Sequence, residues 1–205
     1  MKVKIIIAVM KIKEIFYSLQ GEGLQFGKPV IFIRLSGCNK RCWYCDTDFT
    51  KGTELNNDEI YDIIKDYKSK YIIWTGGEPT LQLTNEDVSY FNNLHYKQGI
   101  ETNGTNGVPY GLDYITCSPK VDTDTLNKNF NYIDEIRYAI GIYETPPDID
   151  DLPFAGTYYV SPLFMGEEHK RLDLCKDNLE WCIEFVKNNP DWRLSLQQQK
   201  IINIK

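Results

Sequence analysis

The sequence predicts an α/β protein built on a partial, open (βα)6 TIM-like barrel with short extra elements at both ends, arranged as a single domain over residues 1–205. Three observations predict it. Apolar strand-like runs alternate with amphipathic helical stretches, the pattern that puts parallel strands into one sheet through right-handed crossovers. Six candidate strands begin near Val30, Tyr71, Gly99, Leu112, Ile133 and Thr157, too few for a closed eight-stranded barrel. The segments carrying Cys, Gly and charged side chains directly follow those strands, where open sheets and barrels place their chemistry. An ordinary doubly wound sheet is the alternative.

Taken in order, Val3–Val9 is a β-branched run that reads as a strand or an added tail, and Lys11–Ser18 alternates weakly as a short strand. Gln20–Gly27 contains three glycines and must bend tightly, either as a plain turn or as a loop facing a polar ligand. Val30–Leu35 is continuous and apolar like a buried parallel strand, interrupted by Arg34. A charge there is costly unless paired, so Arg34 serves either a salt bridge or a carboxylate clamp. Leu55–Tyr67 reads as a helix capped by Asn57, with Ile60, Ile63, Ile64 and Tyr67 on one face. Tyr71–Thr75 is a strand running into Gly76–Gly77. Leu83–His95 is a helix with Thr84 as cap and Asp87 completing a capping box, its Val88, Phe91 and Leu94 inward.

Gly99–Asn103 is a short strand and Leu112–Cys117 another. Asp122–Tyr132 is polar, Asn-rich and expected to be mobile; Ile133–Ile140 returns to a strand, and the prolines and aspartates of Pro146–Asp151 break the chain. Thr157–Pro162 is the last barrel strand. Asp173–Asn188 is the clearest helix, with Cys175, Leu179, Cys182, Ile183 and Val186 on one face, so both cysteines read as core fillers. Trp192–Leu196 is a final short strand or extended segment.

The composition narrows the function classes. The chain has 205 residues, 42% hydrophobic and 25% charged, which is enough for one sizeable core. The formal net charge of -6 and the lack of a Lys/Arg-rich block argue against direct nucleic-acid binding. The apolar stretch within Met1–Met10 is too short to span a bilayer and lacks a cleavage site, so neither a membrane anchor nor a signal peptide is expected. Six cysteines, three of them in one tight loop, fit metal ligation in a reducing, cytoplasmic setting better than disulfides.

That loop reads CNKRCWYCDTD over Cys38–Asp48. Cys38, Cys42 and Cys45 leave a tetrahedral zinc one ligand short, or a four-iron cluster with one iron open to a small molecule. Neither His95 nor His169 is close in sequence to complete a zinc site. A catalytic or redox cluster, structural zinc and unconnected thiols are the three possibilities from spacing. Asp46, Thr47 and Asp48 offer hard oxygens of the kind Mg2+ takes, or simply form an Asp/Thr turn. Trp43 and Tyr44 either cover a bound group or pack on the surface.

CxxxCxxC is similar to the cluster loop of the radical S-adenosylmethionine (SAM) enzymes, and WTGGEP at Trp74–Pro79, ETNGT at Glu101–Thr105 and SPK at Ser118–Lys120 follow in that family's order. SLQGEG at Ser18–Gly23 and FIRLSGC at Phe32–Cys38 narrow the resemblance to the 7-carboxy-7-deazaguanine synthase family, from about Ile12 to the end. The resemblance implies the partial barrel of the radical SAM type. It implies a [4Fe-4S] cluster on Cys38, Cys42 and Cys45, and SAM held by Tyr44, Gly76, Gly77, Glu78, Glu101, Asn103, Ser118 and Lys120. It implies Mg2+ at Thr47, and a pterin substrate, 6-carboxy-5,6,7,8-tetrahydropterin, against Leu19, Gln20, Glu22, Arg34, Gln197 and Gln199.

The implied reaction is radical ring contraction to 7-carboxy-7-deazaguanine with loss of ammonia, in queuosine-precursor biosynthesis. A flavodoxin or ferredoxin as electron donor and a homodimer complete the picture. Because the family's first motif lies near its start, Met10 is a candidate initiator and residues 1–9 a non-native extension. The chain departs from the family at its end: Gln199 stands where relatives commonly carry histidine, and Ser161–Pro162 where they often carry glutamine–proline. Glutamine exchanges hydrogen bonds but carries no proton near neutral pH. A glycyl-radical-enzyme activase shares the cysteine loop and GGEP but gives no reason for Gln20–Gly23 or Arg34. A non-catalytic, metal-stabilised partner-binding protein is the alternative outside enzymes.

Overall fold

A computed structural model describes residues 9–165 and 173–205. The expectations for Val3–Val9, for the start of the chain and for His169 lie outside these residues, apart from Val9, which belongs to no strand. Strand β1 (Met10–Leu19) pairs antiparallel with β2 (Pro29–Leu35), and on its other side with β3 (Thr53–Leu55). Then follow α1 (Asn57–Ile64), β4 (Tyr71–Gly76), α2 (Asn85–Asn93), β5 (Lys97–Thr102), β6 (Tyr114–Cys117), α3 (Thr123–Asn129), β7 (Tyr132–Ile140) and β8 (Phe154–Pro162). A two-stranded ribbon of β9 (Phe164–Met165) and β10 (Asp173–Leu174), helix α4 (Lys176–Asn188), strand β11 (Trp192–Leu194) and the short α5 (Gln198–Ile201) end the chain.

The main sheet runs β11-β8-β7-β6-β5-β4-β2-β1-β3, parallel from β11 to β2 and antiparallel beyond. Among the described residues β11 and β3 do not pair with each other, so the sheet stays open: an α/β fold of the partial-barrel kind, as expected. Each of the six expected strands is present. β11 adds a seventh parallel strand beside β8, the short-strand alternative of the two expected for Trp192–Leu196. Its three residues are too few to declare themselves by period.

The helices form where the capping signals stand. Thr84 caps α2 and closes a capping box with Asp87, as expected. Helix α1 is capped by Asn56 rather than Asn57, because Glu59 then falls at the third helical position and reaches back to the Asn56 amide. The segment expected to be mobile contains α3, capped by Asp122, whose carboxylate accepts from the Thr125 amide. Buried Leu126 anchors this helix on the sheet. Helix α4 begins three residues later than expected, and Asp173–Leu174 belongs to the ribbon. Cys182 is a core residue, whereas Cys175 sits half-buried at the helix cap and Ile183 is exposed.

Two cores line the helical side of the sheet. One joins Ile31, Ile33, Ile72, Trp74 and Ile100 to Ile60 and Ile64 of α1 and Val88 and Phe91 of α2. The other joins Ile133, Ile136 and Val160 to Leu126 of α3 and Cys182 of α4. The opposite face carries a smaller apolar cluster of Val30, Phe32 and Ile73, packed with Phe16 and Tyr71, and polar groups toward the C-terminal strand ends. On β7, Ile136 and Ile140 enter the core while Arg137 and Ala139 face the other way, into a cavity.

Gln98 is the polar exception inside the first core. It is fully buried, accepts from the Trp74 indole at 2.8 Å and donates to the Val88 carbonyl at 2.7 Å and to Asn92 at 2.8 Å. It thereby fixes α2 to β4 and β5. Gln98→Ala leaves the buried indole N–H unpaired and removes both side-chain bonds to α2, and is expected to cost about 2–4 kcal/mol. Urea unfolding of the two proteins side by side measures it; a midpoint unchanged from wild type would contradict it.

Candidate active site

The C-terminal ends of the parallel strands and the cysteine loop enclose a cavity of about 270 Å3. Thr75 and Gly76 come from β4, Glu101 and Thr102 from β5, Thr116 from β6, Arg137 and Ala139 from β7, and Ser161 and Pro162 from β8. Parallel strands all end on the same side, so residues far apart in sequence meet here.

Cys38, Cys42 and Cys45 all line this cavity and are free thiols, half-exposed toward it. The Cys45 thiol is pushed above its usual pKa by burial, with Asp46, Cys42 and Cys38 adding like-charge repulsion. Deprotonated together, three such thiols repel one another unless a cationic centre sits between them, and among the described residues no three of His, Cys, Asp and Glu stand close enough together to hold a metal ion as they are. This donor set fits an iron–sulfur cluster with an open iron. The cysteines come close enough to interact because the loop is tied down at both ends: Gly37 donates to the Phe49 carbonyl, and Cys45 to the Cys42 carbonyl.

The turn after β4 is packed against this loop. Gly76 has φ +131°, and a Cβ there would strike the backbone of Leu35. At Gly77 a Cβ would run into the Gly37 carbonyl. Gly77 donates to the Leu35 carbonyl at 3.1 Å and Glu78 to the Gly37 carbonyl at 2.9 Å. Glu78 is placed otherwise than a direct ligand would be. Its side chain is fully buried and accepts from Thr80, from Thr102 at 2.8 Å and from the Asn103 amide at 2.7 Å. It fastens the glycine turn to the end of β5, and Gly76 and Gly77 face the cavity in its stead.

Of the other residues expected around SAM, Tyr44, Glu101, Asn103, Ser118 and Lys120 all line the cavity. Asn103 donates to Asn39 at 3.0 Å and points its amide toward the Cys38 sulfur at 4.0 Å. The Lys120 ammonium donates to the Ser118 hydroxyl at 2.9 Å and lies 5.6 Å from the Tyr44 ring centre. Burial lowers its pKa against the opposing pull of the cysteines. Trp43 is 67% exposed and packs edge-on against Tyr44, a surface position.

The residues expected to face the pterin divide. Glu22 and Gln197 line the cavity. Gln20 and Gln199 stand one layer behind, donating to Glu101 at 3.0 Å and to Glu22 at 3.2 Å. Leu19 is exposed outside the cavity. Arg34 is also outside the lining: its Nε donates to Glu14 at 2.9 Å, and one terminal nitrogen reaches Thr47 at 3.4 Å. The structure thus shows Arg34 making the salt bridge that a charged residue inside a strand requires.

Two groups escaped the sequence analysis. Lys200, from α5, lines the cavity and sits 2.5 Å from Asp46. Burial raises the Asp46 carboxyl's pKa, but Lys200, Thr47 and Arg34 overcome it and leave it below the usual range. The second is Arg137, which binds Glu22 at 2.9 Å and Glu101 at 3.3 Å. Its signal was present in the sequence, since Glu135 and Arg137 alternate with apolar residues in YIDEIRYAI and so put charge on one face of a buried strand.

An open parallel sheet with three cysteines and a glycine turn at its C-terminal edge is the arrangement of a radical SAM protein, and residues 32–142 match the family model of the radical SAM superfamily. The chain belongs to the 7-carboxy-7-deazaguanine synthase family. It is 37% identical over 201 residues to the 7-carboxy-7-deazaguanine synthase of Bacteroides thetaiotaomicron, covering 95% of this chain and 98% of that protein. It is 34% identical to the one from Haemophilus influenzae, covering 95% and 93%. The fold resembles the crystal structure of QueE from Escherichia coli with a TM-score of 0.69 at 24% identity, over 93% of this chain and 94% of that one. These relatives favour the synthase expectation over the activase and over the non-catalytic binder.

Gly77→Ala tests the packing of the glycine turn on the cysteine loop. The added methyl must displace Gly37, and with it Cys38. Anaerobic reconstitution is expected to yield a folded protein with less than half the wild-type iron. Wild-type iron content would contradict the coupling.

Proposed function

We propose that this chain is a radical SAM carbon–nitrogen lyase that converts 6-carboxy-5,6,7,8-tetrahydropterin to 7-carboxy-7-deazaguanine with loss of ammonia, in queuosine-precursor synthesis. The observation that carries the proposal is the convergence on one cavity of three free thiols, the glycine turn and the Glu22–Glu101–Arg137 group. When bound, a [4Fe-4S] cluster and SAM supply reductive cleavage of a sulfonium bond and a carbon radical able to abstract hydrogen.

The chain's own residues bind and orient. Cys38, Cys42 and Cys45 hold the cluster. The backbone at Gly76 and Gly77 admits the SAM amino group, and Asn103, Ser118 and Lys120 bracket its ribose and carboxylate, while Glu101, already tied to Gln20, Thr75 and Arg137, faces the pterin. Glu22 and Gln197 meet the pterin, with Gln20 and Gln199 holding the acceptors in place. The strand ends and the cysteine loop keep bulk water from the reacting centre. Gln199 orients Glu22 through its amide, a task that needs no titratable proton.

The oxygen donors near Thr47 are held by cations here, Asp46 by Lys200 and Thr47 by Arg34, and alone they do not make a magnesium site. The proposed Mg2+ therefore arrives with the substrate carboxylate, which supplies the missing oxygens. A flavodoxin or ferredoxin is the proposed electron donor, a pterin the only small-molecule partner besides SAM, and the cytoplasm the proposed location. No helix among the described residues is long and apolar enough to cross a membrane. A homodimer is proposed because Phe154 and Tyr132 leave a ring pair exposed at the start of β7 and β8, a surface suited to a second copy.

Anaerobic incubation with reductant, SAM, Mg2+ and the carboxylated tetrahydropterin is expected to give 7-carboxy-7-deazaguanine by mass spectrometry. Cys42→Ala should lose both the cluster absorbance and the product. Cleavage of SAM without product by cluster-loaded wild type would reject the substrate while sparing the superfamily. Sedimentation equilibrium under the same conditions is expected to return twice the chain mass; a monomer at every concentration would refute the dimer.

A further inference from the structure

The cavity face of the sheet carries one guanidinium among three carboxylates. Arg137 has 8% of its side chain exposed and lies between Glu22, Glu101 and Glu135. One terminal nitrogen donates to Glu22 at 2.9 Å and the other to Glu101 at 3.3 Å, while Nε stands 3.2 Å from Glu135. The planar fork thus bridges two carboxylates that come from different elements, Glu22 from the loop after β1 and Glu101 from the end of β5. Each of these carboxylates is nearly filled. Glu22 accepts from Gln197, Gln199 and Arg137, and Glu101 from Gln20, Thr75 and Arg137. A carboxylate has about four acceptor sites, so each keeps about one, and both groups border the cavity.

We infer that Arg137 is a positioning residue for substrate recognition: its fork sets the spacing of the one remaining acceptor on Glu22 and the one on Glu101, and this pair reads a heterocycle edge that presents two N–H donors. The inference rests on the proposed pterin substrate, whose 2-amino-4-oxopyrimidine ring has such an edge in its 2-amino group and ring N–H. The cluster of three carboxylates and one cation has surplus negative charge, which suits a donor edge and rejects an edge of carbonyl oxygens. Lysine cannot take the place of arginine, because a single ammonium does not bridge two carboxylates in a plane. Glu135 steadies the guanidinium from behind and is itself held by the Leu24 amide at 2.9 Å and the Tyr114 hydroxyl at 2.7 Å.

The test uses the cluster-loaded enzyme with SAM and two unreactive probes: 6-carboxypterin, and 6-carboxylumazine, in which a carbonyl replaces the 2-amino group. Anaerobic calorimetry on wild type is expected to show at least about tenfold preference for the pterin, the value of a charge-assisted hydrogen bond. Arg137→Lys should weaken 6-carboxypterin binding by about tenfold or more and erase the preference, while iron content and circular dichroism show the folded, cluster-loaded protein. In turnover the same change should raise KM far more than it lowers kcat. Should Arg137→Lys not fold, Arg137→Gln, whose single amide cannot bridge Glu22 and Glu101 while both carboxylates stay in place, is expected to lose the preference likewise. Wild type that binds both probes equally, or a folded variant that keeps the preference, overturns the inference. Wild-type turnover of the carboxylated tetrahydropterin is measured alongside. Its presence with an unaltered preference in the variant removes the role of Arg137 alone, and its absence removes the substrate reading beneath it.

Discussion

A charged group on the inner face of an open sheet has no bulk water to fall back on, and the arrangement around Arg137 is the answer this chain gives. Burial opposes the guanidinium's charge, and the carboxylates of Glu22, Glu101 and Glu135 overcome that and hold its pKa above the usual value. Each carboxylate in turn needs the cation. The glycine-rich loop after β1, the end of β5 and the middle of β7 are therefore fixed relative to one another by one side chain. The C-terminal segment joins the same network when Gln197 and Gln199 donate to Glu22. Breaking such a pair from one side is expensive, because the group left behind remains buried and charged.

A second knot lies next to the first. Glu78 draws the glycine turn, Thr80 and the end of β5 together, and does so without exposing its carboxylate to the cavity. The turn is thus rigid from behind and bare in front. Gly76 and Gly77 can let a ligand approach the backbone because no side chain stands there, and they hold that position because Glu78 and the Leu35 and Gly37 carbonyls anchor them. The cysteine loop has no regular secondary structure from Cys38 to Asp48, and it takes its shape from these neighbours. The order of the motifs along the chain follows from this: each comes after a strand because only the strand ends are rigid enough to hold a loop.

How much of this was legible depended on the range of the signal. Of the six expected strands, those such as β2 and β4 were legible because a buried strand is apolar over its own length, whereas β5, KQGIET, has a single apolar side chain and was legible from the turn residues that follow it. The caps of α2 and of α1, to within one residue, were legible because the interacting groups lie three apart. Helix α3 was not, since a seven-residue helix with one buried leucine has too little apolar period to stand out from an Asn-rich stretch. The cavity residues were legible where a motif named them. The Arg137–Glu22 contact joins residues 115 apart, and the Lys200–Asp46 contact is of the same long-range kind, so no local pattern points to either. What the sequence did show of Arg137 was a charge on a strand that had to be buried, the same clue that singled out Arg34.

Those two arginines share a sequence signal and differ in where their strands put them. Arg34 lies on β2, whose neighbour β1 is antiparallel and brings Glu14 directly opposite in register. A cross-strand partner is therefore available and takes the Nε. Arg137 lies on β7 between parallel neighbours β6 and β8, where the facing positions hold no carboxylate of their own, and its partners come from a loop, from the end of β5 and from its own strand. The first arrangement neutralises a charge at the rim of the sheet. The second leaves the guanidinium at the centre of the cavity wall with its carboxylates turned toward the space a ligand fills. The cation nearest Asp46 and Thr47 inside the cavity is then Lys200, delivered by the chain's last helix, which sets that helix beside the cysteine loop and makes the C-terminus a wall of the site.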